Sequence, residues 1–471
     1  MNGVRLTLGW IAGAVGGRLR GGPPQTEVRE VVIDSRVAGA GDLFVAIRGP
    51  RFDGHDFVAD VLSRGAAAAI VEGEIADGRG RPSGRPTGAL IEVEDTVKAL
   101  QELAHAVRVE SSTRVIAITG SAGKTTTKET IAAFLGRHRS VVKNKGNLNN
   151  HIGLPLSLMQ VRHAPDVAVM ELGMNHAGEI STLVAIAEPD VRVWTNVGDA
   201  HIGFFASADA IADAKAEILE RATASTVLVC NADDARVMSR VGSFAGRTIT
   251  FGISAGAQVR ATTVEDRGLA GMRAHVTTPL GQAVIETPLL GRGNLSNVLG
   301  AAAVATEFGI TPAEIAEVSA HLQPADRRGA VHRYPAGVTV VDDSYNSSPS
   351  ALATALEVIA REGGATRKIA VLGEMLELGD HSEQLHSDSG RLAAQSGITH
   401  LYAIGGAGAR ALAAAAVDAG MAPAAVTYFT SSDEAAPGVV SAVRPGDLVL
   451  VKGSRGIRTD VVADRLKAAF A

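Results

Sequence analysis

Residues 115–128 read VIAITGSAGKTTTK, a spacing suited to holding a polyphosphate. Gly120 and Gly123 free the backbone for a tight turn, with Ser121 and Ala122 between them. The N–H groups of such a turn, running through Lys124, Thr125 and Thr126 into a helix N-terminus, favour negative charge. Lys124 adds a compact cation, and Thr125 stands where a P-loop hydroxyl holds Mg2+. The longer P-loop form carries an earlier glycine; that position is Ile118 here, which leaves the shorter TGSAGKTTT form. The chemistry expected of Gly120 to Thr126 is binding of a nucleoside triphosphate.

Other polar groups stand at places where they could join that chemistry. Asn147, Asn149 and Asn150 put three amides within four residues, between Gly146 and Gly153. Loops favour Asn on their own account, yet this density also suits a second polyanion. Glu171 ends the apolar run DVAVMELG, and Asp199 and His201 follow DVRVWTNVG. A carboxylate and an imidazole at neighbouring strand ends would line the crevice where α/β sheets bind ligands. Both accept Mg2+ when phosphate and water complete the shell, although a lone His more often makes a structural hydrogen bond. Lys215 lies beside the apolar face of SADAIADAKAEILERA, and spacing alone favours an ammonium carried out to water. Asn294 and Asn297 sit one turn apart, placed either to cap a helix or to read an adenine edge. Asp34, Ser35 and Arg36 read equally as a turn after a strand and as a receiver for a diphosphate or uracil. In KGSRG, Lys452 and Arg455 could grip a carboxylate or only turn the chain before its last helix.

Positioning these groups requires strands buried on both faces, and the sequence supplies them. The run at 115–118 is continuously apolar, as in a parallel strand, and a helical pattern follows over 129–138. Earlier, residues 8–19 fit an amphipathic helix, 28–33 alternate like a strand, and ALIEVE precedes a helix at TVKALQELAHAVR. Residues 73–88 are rich in Gly, Pro and Arg and read as a mobile surface loop. Short strands over 247–290 suggest an antiparallel β-subdomain, and GRGNLSNVLGAAAVATEFGI reads as a helix stopped at Gly309. After 327, strands alternate with helices as in a small Rossmann-like sheet. The glycines of GGAGAR lack the spacing of a dinucleotide fingerprint and carry no weight.

Composition sets the outer bounds. A chain of 471 residues is too long for one core and suggests about three domains. Hydrophobic residues make up 46% and charged ones 20%, as in an ordinary globular α/β protein. A net charge of −5 and only 4% aromatic residues argue against a nucleic-acid surface. No run approaches the length of a membrane span. Cys230 is the only cysteine, which excludes an intrachain disulfide and suits a reducing cytoplasm. It follows the apolar run 226–229 and reads as a small core residue.

The P-loop variant, GNLNN, ELG, TNVGDAHIG, AKAEI, NLSN, DDSYNSSP and KGSRG occur in that order over most of the chain. As an ordered set they closely resemble the Mur ligase family, ATP-dependent amide-bond ligases of peptidoglycan precursor synthesis. The resemblance implies three α/β domains: an N-terminal UDP-binding domain (1–111), a central P-loop ATPase domain with a parallel sheet (112–326) and a C-terminal Rossmann-like domain (327–471). FDGHDF, LGEMLELG and DDSYN imply the branch that uses UDP-MurNAc-tripeptide and D-Ala-D-Ala. ATP and two Mg2+ ions are then the implied cofactors, the location cytoplasmic, and the protein a monomer. Lys124 would hold the ATP phosphates; Thr125, Glu171 and His201 would ligate metal. Lys215 would carry a CO2-derived carbamate, which turns a cation into a metal-binding anion and reverses the reading from spacing. Asn294 and Asn297 would contact adenine, Asp343 the ribose, Asn346 would lie near the base, and Arg328 would reach the phosphates. Asp34, Ser35, Arg36, Arg48, Asp53 and His55 would hold the UDP-sugar, with Asn149 and Asn150 on its diphosphate side. Asn144 stands where the family usually has threonine, and the DNPR signature of the ligase adding the third residue is absent. The nearest alternative is a ligase of the folylpolyglutamate synthase type, which shares the loop but should lack the UDP-binding domain. A P-loop switch that hydrolyses ATP without ligating anything is the alternative of another kind.

Overall fold

The computed structural model describes residues 3–73, 88–200 and 202–471, and its strands form three sheets. Most of the expected loop at 73–88, and His201, lie outside the described residues. The first sheet contains β1 (Arg18–Arg20), β2 (Val31–Val32), β3 (Leu43–Val45), β4 (Ala68–Glu72) and β5 (Ala89–Val93), in the order β1-β5-β4-β3-β2. Only β1 is antiparallel to its neighbour. The N-terminal helix is shorter than expected, covering Leu8–Ala14. Gly16, at φ +58°, turns the chain so that residues 18–20 pair with β5 instead. The strand expected over 28–33 pairs only at Val31 and Val32.

The second sheet runs through β6 (Arg114–Thr119), β7 (Val141–Lys143), β8 (Val167–Glu171), β9 (Val191–Trp194), β10 (Val227–Asn231) and β11 (Arg247–Gly252). It continues through β12 (Val259–Asp266), β13 (Met272–Thr278) and β14 (Gly281–Thr287). Its order is β14-β13-β12-β11-β10-β9-β6-β8-β7, with β6 flanked by β8 and β9. Strands β6 to β11 are parallel, so their C-terminal ends share one rim. The antiparallel strands expected over 247–290 are therefore no separate subdomain. β11 joins β10 in parallel, and β12–β14 extend the same sheet. Hydrogen bonding across an existing edge satisfies a strand that a free-standing hairpin would leave exposed.

The third sheet contains β15 (Ala330–Arg333), β16 (Thr339–Asp343), β17 (Arg367–Gly373), β18 (His400–Ile404), β19 (Val426–Phe429) and β20 (Asp447–Lys452). Its order is β15-β16-β20-β17-β18-β19, with only β15 antiparallel.

The first two sheets share a core. Helix Thr96–Glu110, capped by Asp95, buries Leu100, Leu103 and Val107 in an apolar cluster that also contains Leu43, Ile70, Leu158 and Met170. Arg162 of the central part reaches back to the Arg29 carbonyl and to the Glu30 carboxylate at 2.8 Å. Among the described residues no helix is long and apolar enough to cross a membrane.

Candidate active site

The expected phosphate loop leaves the end of β6 and enters helix Lys124–Leu135, which begins five residues earlier than the sequence pattern suggests. Gly123 caps it at φ +81°, and a Cβ there would lie 2.0 Å from the Asn297 side-chain oxygen. A Cβ on Gly120, at φ +151°, would lie 1.9 Å from the Thr195 hydroxyl. Both positions thus exclude any other residue on conformation and on space together. Thr195 and Asn196, which sequence reasoning did not single out, clamp the loop from the end of β9. The N–H groups of Ser121 and Ala122 donate to the Asn196 backbone and side-chain oxygens at 3.0 and 2.9 Å. The Thr195 hydroxyl donates to the Ala122 carbonyl at 2.8 Å. Ser121 and Ala122 therefore shape the loop. The N–H groups of Lys124, Thr125 and Thr126, which open the helix, lack a carbonyl one turn earlier. The signal for Thr195 and Asn196 was the TN of TNVGDAHIG, legible only as part of a motif.

Glu171 forms the next node. Its carboxylate is 4% exposed, accepts the Thr125 hydroxyl at 2.8 Å and accepts the Asn149 amide at 2.9 Å. Asn149 thus meets Glu171. Asn150 is engaged elsewhere, its side-chain oxygen accepting the Gly153 N–H at 2.8 Å where helix Gly153–Leu158 begins.

Lys215 does not reach water. It is 2% exposed, on helix Ala208–Ala216, which corrects the reading from spacing alone. Among the described residues no hydrogen bond or ion pair meets its ammonium. Burial, and then the Lys124 charge, hold its pKa well below the ordinary lysine range. Burial also lowers the Lys124 pKa, with Glu171 opposing and Arg328 adding to the effect. The Lys124 ammonium donates to the Gly120 carbonyl at 2.8 Å. Cys230 is fully buried, and burial pushes its thiol up to about 12, so it is the inert core residue expected.

The third sheet comes to the same rim. The Arg328 charge is felt at Lys124, while its guanidinium lies 4.2 Å from the Tyr345 ring centre. Arg455 approaches the same ring at 5.4 Å. The Gly203 N–H donates to the Glu377 carbonyl at 2.9 Å, and Gly379 packs backbone to backbone against Gly203. Lys452, expected as a carboxylate grip, is 3% exposed and already committed. It donates to Asp343 at 2.6 Å and to the Asn346 carbonyl at 3.0 Å, so the structure corrects that expectation. Asp343 keeps one oxygen free of Lys452, and Asn346 is exposed.

Asn294 and Asn297 form a ladder behind the loop. Asn294 donates to the Leu290 carbonyl at 2.9 Å, and Asn297 donates to Asn294 at 3.1 Å. Asn297 also accepts the Thr127 hydroxyl at 3.4 Å, which places it under the phosphate loop.

The first-domain candidates are brought together in two groups. Asp34 accepts both the backbone N–H and the guanidinium of Arg36, and the side-chain bond chiefly holds its pKa down to about 2. The Ser35 carbonyl accepts from Arg64. Arg48 donates to Asp53 at 2.9 Å, and Asp53 faces His55 Nδ1 at 2.6 Å. His55 Nε2 accepts the Glu72 N–H at 2.9 Å, so its proton sits on Nδ1. The three residues brace one loop, and exposed Phe52 stands at its tip.

A phosphate loop at the head of a parallel sheet, a buried carboxylate beside its threonine and a second sheet bringing arginines to the same rim define an enzyme that works on ATP together with other substrates. Residues 27–108 match the Mur ligase family catalytic domain, 118–305 the Mur ligase middle domain and 327–455 the Mur ligase glutamate ligase domain. The chain belongs to the Mur ligase family and is an ATP-dependent ligase. It is 33% identical to the UDP-N-acetylmuramoyl-tripeptide--D-alanyl-D-alanine ligase of Bacillus subtilis (strain 168), covering 94% of each chain. It is similar to the crystal structure of MurF from Acinetobacter baumannii, with a TM-score of 0.87, 32% identity and coverage of 99% and 100%. It also resembles the MurF ligase of Thermotoga maritima in complex with ADP, at a TM-score of 0.80, 30% identity and coverage of 94% and 98%.

Proposed function

We infer that the protein joins D-alanyl-D-alanine to UDP-MurNAc-tripeptide, using ATP. The observation that carries this reading is the Thr125–Glu171 pair beside Lys124, whose charge feels Arg328, in a chain that aligns over 94% of its length with the D-alanyl-D-alanine ligase of Bacillus subtilis. A carboxylate is a poor electrophile, so the tripeptide carboxylate first attacks the γ-phosphorus of ATP; an acyl phosphate forms and ADP leaves. Lys124 and Arg328 offset the charge in that in-line transfer, and the helix-opening N–H groups hold the phosphates. The dipeptide amine then attacks the acyl carbon and gives up a proton, and the tetrahedral oxyanion collapses to amide and inorganic phosphate. Orientation and exclusion of water between the second and third sheets contribute much of the rate.

Thr125 and Glu171 offer oxygen donors at 2.8 Å from each other, a set that fits Mg2+ when phosphate and water complete the shell. Among the described residues no group of three His, Cys, Asp or Glu forms a cage of its own. When bound, the ions neutralise phosphoryl charge. We assign Thr125, Glu171 and a carbamylated Lys215 as protein ligands, with His201 added from the sequence resemblance. The UDP-sugar falls to the first domain, where Asp34–Arg36 and the Arg48–Asp53–His55 loop stand. Use of ATP and a nucleotide-linked substrate supports a cytoplasmic site for the reaction.

The test is phosphate release from purified protein with UDP-MurNAc-tripeptide, with and without D-Ala-D-Ala. Release that requires both substrates, with the pentapeptide product seen by mass, is expected. ATP hydrolysis indifferent to either substrate, or failure to bind the UDP-sugar, would overturn the reading.

A further inference from the structure

Asn144 is 1% exposed, and every polar group of its side chain is used. Its Oδ1 accepts the Glu171 N–H at 3.0 Å, and its Nδ2 donates to the Glu171 carbonyl at 3.1 Å. The same Nδ2 donates to the Leu148 carbonyl at 2.9 Å. The reason lies in the sheet register. β7 pairs with β8 only as far as Lys143 opposite Val169, two residues short of Glu171. There the chain leaves the sheet, turning at Gly146 (φ +54°) toward the loop that returns Asn149 to the Glu171 carboxylate. The amide of Asn144 has an acceptor oxygen and two N–H donors, so it can present a donor and an acceptor to Glu171 as a strand would and still hold the Leu148 carbonyl. It supplies the two bonds that the departing backbone no longer makes. β6 holds the other edge, with Ile118 opposite Glu171.

The backbone of Asn144 is itself anchored. Its carbonyl accepts the Lys128 ammonium at 2.8 Å, and Lys128 is 1% exposed on the helix that carries Thr125. Lys128 faces inward to this carbonyl and is not part of the phosphate loop. One connected set of bonds thus runs from the loop helix through Lys128 and Asn144 to the main chain of Glu171. It closes through the bond from Thr125 to the Glu171 carboxylate.

We propose that Asn144, anchored by Lys128, is a positioning residue that fixes the main chain of Glu171 so that its carboxylate meets Thr125. It acts through Glu171 and touches no substrate. The proposal rests on the reading of Glu171 as a metal ligand. Groups that orient a metal ligand typically matter by roughly 10–100-fold in metal affinity or activity. A threonine hydroxyl has a single O–H, so it cannot donate to the Glu171 and Leu148 carbonyls together as the Asn144 amide does.

The test uses Mn2+ as the probe, titrated by electron paramagnetic resonance into the full-length enzyme saturated with ADP. Variants Asn144→Thr, Asn144→Ala, Lys128→Met and Glu171→Gln are compared with the parent, with melting temperatures measured alongside. Both Asn144 variants are expected to weaken Mn2+ binding roughly tenfold or more. The KM values for UDP-MurNAc-tripeptide and D-Ala-D-Ala should stay within about twofold. Lys128→Met should move Mn2+ affinity in the same direction, and it decides the matter if the Asn144 variants do not fold. Unchanged Mn2+ affinity in the Asn144 and Lys128 variants, with Glu171→Gln weakened, overturns the proposal alone. Unchanged affinity in Glu171→Gln overturns the metal-ligand reading and the proposal with it. A selective rise in the KM for UDP-MurNAc-tripeptide would make Asn144 a substrate contact and also overturn it.

Discussion

Thr125 donates its hydroxyl to Glu171 across 2.8 Å, tying the first turn of the phosphate-loop helix to the end of β8. These residues are forty-six positions apart, and the parallel pairing of β6 with β8 is what brings them together. The bond aligns two oxygens beside Lys124 before any ligand arrives, which is the preorganisation that phosphoryl transfer rewards.

Replacing Lys124 with Ala should abolish turnover while the protein stays folded. Among the described residues its ammonium has only the Gly120 carbonyl as a hydrogen-bond partner, so the packed core loses little. Removing one preorganised charge contact typically lowers kcat by about 10²–10³. Phosphate-release kinetics at saturating ATP, with a melting curve on the same sample, check both halves. Near-parental turnover would remove Lys124 from the phosphate site.

Lys215 should carry a carbamate in the active enzyme. Burial, and then the Lys124 charge, lower its pKa, which favours the amine with a free lone pair over the ammonium. That lone pair forms the N–C bond to CO2 and a proton is released, leaving an anion where a cation would oppose metal binding. Enzyme equilibrated with ¹³C-bicarbonate should show one carbamate carbon by NMR, absent in Lys215→Ala. That variant should lose activity and regain part of it with short carboxylic acids. An active enzyme without the ¹³C signal would remove the carbamate from the mechanism.

Much of this site was legible in the sequence because its chemistry needs particular residues at fixed spacing. Gly120, Gly123, Lys124 and Thr125 announce a loop whose geometry follows from their types. What stayed hidden depends on contacts between distant segments. Nothing local shows that Thr195 and Asn196 clamp the loop, or that Asn144 completes the sheet beside Glu171. Lys215 and Lys452 show the same limit from opposite sides. Helical spacing gave Lys215 an exposed place that tertiary packing denies it, and Lys452 has a partner in Asp343 that no spacing could reveal. In the fold, strands with continuous apolar runs were plain. The strands over 247–290 were recognised as strands, but their edge-on joining to β10 is a long-range pairing that alternation does not encode.

Stability should fall with acid through His386. It is fully buried, its Nε2 accepts the Met375 N–H at 2.8 Å, and its Nδ1 donates to the Ser382 carbonyl at 2.7 Å. Both nitrogens are in use by the neutral ring, and burial, the largest influence, lowers its pKa below the ordinary 6.5. The unfolded chain therefore takes up the proton first as pH falls. The contribution is full above about pH 6.5 and is lost as pH drops toward the folded pKa. Urea unfolding between pH 5 and 8, probes spanning about that range, should show this slope in the parent and a flatter one in His386→Gln. Equal slopes would assign the acid sensitivity to other groups.

The last expectation concerns the incoming dipeptide. On the proposed function, ATP, metals and the reacting carboxyl would take the rim of the second sheet and the UDP-sugar the first domain, which leaves the third for the incoming amine. Of the two cations proposed there from sequence, Lys452 is held by Asp343 and Asn346, whereas Arg455 is exposed, over the Tyr345 ring. Among the described residues no ion pair engages the Arg455 guanidinium. A guanidinium binds a carboxylate bidentately, and hydrogen bonds to charged groups contribute about 1.5–3 kcal/mol. Arg455→Ala should therefore raise the KM for D-Ala-D-Ala roughly tenfold or more and leave that for ATP nearly unchanged. Lys452→Ala should instead lower the melting temperature, because it strands the Asp343 carboxylate beside a buried gap. Steady-state kinetics with each substrate varied in turn separate the two. An unchanged dipeptide KM in Arg455→Ala, or an equal rise for ATP, would move the carboxylate site away from Arg455.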